Sequence, residues 1–252
     1  MNEKNFTTKK SSSEEDVIDF YNKYANTWDA RFVPSNATKH FIDRRFSSFS
    51  EALENSTIDK GIAIELGIGT GVYIDRVSKK FNHVIGVDGS QKMLEITSDK
   101  ILKSKIYNVT LINSNVIDLR SIESSSVDCV YFFGLIEHIV SLQDFAKEIR
   151  RVLKPSGIVI GVTPNGQSPW YFLRRLFRGT GRHCSTDIYH SEISLDELFL
   201  PLGLVKVSMK YWGATPAGVG DFSANILIKM EPFLEMSFLK KWLGGLTFVY
   251  RR

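Results

Sequence analysis

The sequence predicts an α/β domain built on a doubly wound sheet, and two observations carry that reading. Short apolar runs at 62–66, 84–87, 109–112, 127–133 and 158–162 have the length and β-branched content of strands covered on both faces. The stretches between them at 72–80, 90–103 and 142–153 have helical spacing, and the last sets Leu142, Phe145, Ile149 and Val152 on one side. Strand and helix in alternation give parallel strands with helices on both faces. With 252 residues and 43% apolar content, the chain can fill a core without metal or disulfide staples.

The flanking segments follow from the same periodicities. Residues 1–12 are polar with almost nothing to bury, and read as a disordered tail. Ser13 with Asp16 resembles a capping box, and Val17, Tyr21, Tyr24 and Trp28 then recur on one helical face. A second helix, with Ile42, Phe46, Phe49 and Leu53, follows the Pro34-Ser35-Asn36 break. Residues 13–60 are therefore N-terminal helices, and 61–165 the sheet core. Residues 166–193 lose strand character and become rich in Gly, Arg and aromatics, as expected of a helical cap inserted after strand five. Residues 194–252 return to the sheet: a short helix near Leu195, a strand over 205–212, a helical stretch over 233–243 and a last strand over 246–250.

Composition excludes several classes. Charged residues at 24% and aromatics at 12% are those of an ordinary folded domain. A net charge of +4, from 32 basic and 28 acidic residues, is too mild to imply a nucleic-acid partner. The two cysteines, Cys129 and Cys184, have no metal-ligand spacing, so no metal site is expected and a reducing cytoplasmic setting fits. Neither a secretory leader nor a membrane-spanning run is visible.

The chemistry is concentrated after the first strand, in Glu65-Leu66-Gly67-Ile68-Gly69-Thr70-Gly71. Glycines here allow a tight turn and let a ligand approach backbone amides. A phosphate-binding P-loop would need a lysine after Gly71, where Val72 stands, and the dinucleotide fingerprint would need glycine at Val72. The acid-x-G-x-G-x-G pattern resembles the first motif of class I S-adenosylmethionine-dependent methyltransferases. Further segments match in order: Val87-Asp88-Gly89-Ser90 at the end of strand two, Ser114 to Leu119, Val127-Asp128-Cys129-Val130, and Leu153-Lys154-Pro155-Ser156-Gly157.

The resemblance implies a Rossmann-like, mostly parallel sheet of seven strands, the last antiparallel, with S-adenosyl-L-methionine across the carboxyl ends of the first strands. It places Glu65, Gly67, Gly69 and Gly71 at the cofactor's amino-acid end, Asp88 and Gly89 at the ribose, and Asn115 and Val116 at the adenine. Phe133 and Tyr21 complete the cofactor set, Tyr21 closing over it from the leading helix. Asn115 departs from the family, which has Asp there. An amide oxygen still accepts a hydrogen bond, but without charge.

Among the five histidines, His138, His183 and His190 are the candidate catalytic bases, because imidazole can take a proton from an acceptor near neutral pH. His40 and His83 read as solvated or partly packed. The acceptor is expected to be a small molecule, acidic or lipid-like, since Trp170 to Phe177 mixes apolar residues with Arg174, Arg175 and, just beyond, Arg178. Residues 165–190, bracketed by Gly166, Gly179 and Gly181, read as a lid over that acceptor. An NAD(P)-dependent oxidoreductase, and a cofactor-binding partner subunit without catalysis, are the alternative readings. Oligomeric state is left open.

Overall fold

A computed structural model describes residues 13–32, 35–170, 187–215 and 221–252. Seven strands form one sheet in the order β3-β2-β1-β4-β5-β7-β6: β1 Ile62–Leu66, β2 His83–Asp88, β3 Val109–Asn113, β4 Val127–Phe133, β5 Leu153–Pro164, β6 Val205–Trp212 and β7 Gly245–Arg251. The first five pair in parallel, and β7 runs antiparallel between β5 and β6. The expected doubly wound, seven-stranded architecture is what the chain forms. β4 is central and buried almost end to end, which is why its sequence is an unbroken apolar run.

Helices α1 Glu14–Trp28 and α2 Asn36–Glu54 precede the sheet, and α3 Ile74–Val77, α4 Gln91–Lys103 and α5 Leu142–Val152 connect its strands. Helices α6 Glu192–Phe199 and α7 Asp221–Met236 belong to the C-terminal part. One apolar layer joins α5 and α6 to the sheet through Phe132, Phe145, Phe199 and Phe248; the other joins α2 to it through Phe49, Leu53, Tyr131 and Trp212. Ser13 caps α1 by accepting from the Asp16 amide, and Ser35 and Ser90 do the same for α2 and α4.

Two helices differ from the sequence reading. Only Ile74–Val77 of the expected 72–80 helix is regular, because the chain enters from Gly71 at φ +67° and leaves in turns. The stretch expected to be helical over 233–243 is instead the end of α7 followed by a 3-10 turn, Phe238–Trp242. Pro232 lies inside α7, with helix on both sides of it. The expected cap lies largely outside the described residues; its flanks meet in an Asn165–His190 bridge, and α6 begins at Glu192.

Candidate active site

Strand order reverses between β1 and β4, where connections leave in opposite directions and a crevice must open at the strands' carboxyl ends. A cleft of about 820 Å³ occupies that position. It is lined by Tyr21, Glu65, Gly67, Gly69, Asp88, Gly89, Asn115, Val116, Phe133 and His138, so most residues singled out in the sequence converge on one space.

The β1 loop is drawn tight by its surroundings. Gly67 (φ +65°) has no room for a side chain, since a Cβ would lie 2.7 Å from Leu135 Cδ1. The Gly69 amide donates to Asp88 Oδ2 at 2.8 Å, and Thr97 Oγ1 of α4 donates to the Gly69 carbonyl at 2.7 Å. Lys100 Nζ donates to the Thr70 carbonyl at 2.7 Å and pairs with Asp29, which also accepts from the Thr70 hydroxyl. Gly71 does not line the cleft; its lack of a Cβ lets the loop pack against Thr97.

Glu65 is buried and accepts from the Tyr131 hydroxyl at 3.0 Å, with no ion pair among the described residues. Burial pushes its carboxyl up to about 8, helped by the nearby charge of Asp88 and opposed by the Tyr131 hydrogen bond. Asp88 is also raised by burial, though its oxygens accept from the Gly69 and Ser90 amides. Each oxygen keeps a lone pair for a ligand hydroxyl. Asn115 Oδ1 accepts from the Ile117 amide at 3.2 Å, so the oxygen expected to face adenine also braces its own turn.

Helix α1 lies across this edge, fixed at three places. Glu14 accepts from the Val140 and Ser141 amides, Asn22 accepts from the Ser90 hydroxyl, and the following Asp29 holds Thr70. Tyr21 thereby faces the His138 ring edge-on, with centroids 5.6 Å apart.

The three candidate bases separate. His138 follows β4 in a 3-10 turn, lines the cleft, and its Nδ1 lies 2.7 Å from Asp187 Oδ1. Burial works to lower its pKa, but the Asp187 hydrogen bond and the charges of Glu137 and Asp187 outweigh it, and the value is raised. His190 is buried away from the cleft lining, its Nε2 without a hydrogen-bond partner among the described residues, and burial lowers its pKa. His183 lies outside the described residues, as do Arg174, Arg175 and Arg178. His40 is not simply solvated: it meets Glu231 of α7 at 3.0 Å. Sequence reasoning missed Asp187 and Tyr131, whose roles come from long-range pairing.

The fold is a doubly wound domain whose cleft at the switch point brings two buried carboxyls, Glu65 and Asp88, to one space. A family model described as "Methyltransferase domain" matches residues 64–161. The curated "Probable S-adenosylmethionine-dependent methyltransferase" of Mycobacterium tuberculosis H37Rv is 29% identical over 183 residues, 71% of this chain and 61% of its own length. The chain thus spans about three fifths of that relative. "Demethylmenaquinone methyltransferase" of Listeria monocytogenes is 33% identical over 75 residues, covering 30% of this chain and 31% of that one. Among solved structures, "DhpI-SAH complex structure" aligns with a TM-score of 0.64 at 19% identity, covering 94% of this chain and 96% of that one. The "[4+2]-Cyclase SpnF" aligns at 0.68 and 15%, covering 97% and 98%. The match over residues 64–161, these relatives and the seven-stranded sheet together support a class I S-adenosylmethionine-dependent methyltransferase. The chemistry of the cleft is compatible with that cofactor: Glu65 is a buried carboxyl without a cation among the described residues, Asp88 keeps acceptor capacity, and Asn115 and Val116 line the same space.

Proposed function

We propose that the protein transfers a methyl group from S-adenosyl-L-methionine to a small apolar acceptor seated in the same cleft. The observation that carries this reading is the convergence of Glu65, Asp88 and the His138–Asp187 pair on one space at the sheet's switch point. When bound, the cofactor supplies an electrophilic methyl on a sulfonium. Glu65, charged once a cation arrives, would hold the amino-acid end, Asp88 would accept the ribose hydroxyls, and Asn115 with Val116 would border the adenine. Tyr21 and α1 would exclude water, and His138 Nε2 would take the acceptor's proton while Asp187 fixes the ring and steadies the imidazolium. Alignment supplies the remainder of the rate enhancement.

Trp212, Leu227, Leu234 and Leu239 line the rest of the cleft, a lining suited to an apolar molecule and poorly suited to nucleic acid. The experiment is transfer of label from methyl-labelled cofactor into solvent-extractable small molecules. Labelled product that disappears with His138→Gln is expected; failure of the purified protein to bind the cofactor by calorimetry overturns the reading.

A further inference from the structure

Helix α7 is built inside out. Phe222, Ile226, Met230, Phe233 and Met236 recur every three to four residues on one face, and Phe222, Phe233 and Met236 are 82%, 77% and 89% exposed. The opposite face is where its acids lie: Glu231 is buried, accepting from Arg44 Nε at 2.6 Å and meeting His40 at 3.0 Å, and Glu235 pairs with Arg44 as well. The next turn continues the pattern with Phe238 at 89% and Trp242 at 59% exposure. A helix that turns its carboxylates inward and its aromatics outward is not solvated for its own sake.

The exposed charges of α7 and the following turn bear on what this face meets. Lys229, Lys240 and Lys241 are exposed and make no ion pair among the described residues, though the charge of Lys241 reaches Glu192 of α6, while Asp221 is the one exposed acid of these two elements. Unpaired lysines among exposed apolar residues are depleted from protein–protein interface cores, whereas at a bilayer they reach phosphate headgroups while their stems cover apolar surface. No helix among the described residues is long and apolar enough to cross a membrane, so the contact is with the surface.

We propose that the outer face of α7 and the following 3-10 turn dock on an anionic lipid bilayer, lying in its interface to a depth of roughly 5–10 Å. Leu227 and Leu234 of α7 and Leu239 and Trp242 of the turn also line the active cleft, so docking opens its rim toward the acyl region. That an apolar acceptor enters from the bilayer rests on the methyl-transfer reading; the docking does not.

The test is flotation of the purified protein with phosphatidylcholine vesicles, with and without phosphatidylglycerol. Binding to the phosphatidylglycerol vesicles is expected, with partitioning that falls as salt rises. Phe222→Ser with Phe233→Ser, and separately Lys229→Glu with Lys240→Glu and Lys241→Glu, should each lower partitioning at least about tenfold while melting curves and cofactor affinity stay at wild type. Wild-type protein that fails to float overturns the proposal. So does a dimer in sedimentation velocity that Phe222→Ser with Phe233→Ser converts to monomer, since a second copy would then cover the face. Should those apolar variants fold poorly, the salt dependence of the wild type and the lysine variant decide alone. Flotation without cofactor binding would end the methyl-transfer reading and leave docking standing.

Discussion

His138 Nδ1 stands 2.7 Å from Asp187 Oδ1, a contact between a turn after β4 and the segment entering α6. The segment is pinned beside the histidine because the Ile188 amide donates to the Glu137 carbonyl and the Gly166 amide to that of His190. With Nδ1–H committed to the carboxylate, Nε2 is the nitrogen that can accept a proton.

Asp187→Asn should therefore lower the His138 pKa, read by NMR titration of the imidazole. In the wild type the raised value means the charged ring stabilises the fold below the ordinary histidine range, and that contribution is lost as pH rises through the raised value. His138→Gln should reduce turnover roughly 10²–10⁴-fold and abolish the limb on which activity rises with pH. An unchanged imidazole titration in Asp187→Asn would show that the carboxylate does not tune the base.

Glu65 predicts proton release on cofactor binding. With its value near 8 in the free protein, it is largely protonated at neutral pH and must ionise opposite a cation. Calorimetry in buffers of different ionisation enthalpy should show protons leaving at pH 7, and Glu65→Gln should remove that release and weaken binding. The raised value also means that Glu65 costs the free protein stability as pH climbs from the ordinary carboxyl range through about 8, a loss that Glu65→Gln should abolish in melting curves.

Asp88→Ala should weaken cofactor binding at least roughly tenfold, because hydrogen bonds to a charged acceptor contribute about 1.5–3 kcal/mol each. It also frees the Gly69 amide, so a double test with Thr97→Val separates the two effects: Thr97→Val loosens the loop without removing a ligand contact. Equal losses in both variants would mean that loop shape, not hydroxyl binding, is what Asp88 supplies.

Gly67→Ala should destabilise the fold by about 1–3 kcal/mol, since the residue sits at φ +65° and the new Cβ would lie 2.7 Å from Leu135 Cδ1. Chemical denaturation should record this as a shifted midpoint with an unchanged slope.

What could be seen in the sequence was local. The five parallel strands and the Glu65–Gly71 loop were legible because burial on both faces and tight turns write continuous apolar runs and glycines into neighbouring positions. Asp88 was legible because it closes a strand. Asp187 was not, since nothing near it distinguishes a carboxylate that meets a histidine 49 residues earlier. Tyr131 was hidden inside an apolar strand, and its bond to Glu65 spans 66 residues. The start of α7 was obscured for a different reason: Pro232 marks a boundary locally, while Arg44 and His40 of α2 hold Glu231 across it.

The ties on the β1 loop have a consequence for selectivity. Thr97, Lys100, Asp29 and Asp88 hold Gly69 and Thr70 from three separate elements. The loop is therefore a mould set when the chain folds, and a ligand spends little ordering entropy in filling it. A mould rewards only what already has its shape, so ligands with added bulk where they meet this loop should be turned away by mismatch, and backbone hydrogen exchange across Gly67–Gly69 should be slow before any ligand is present.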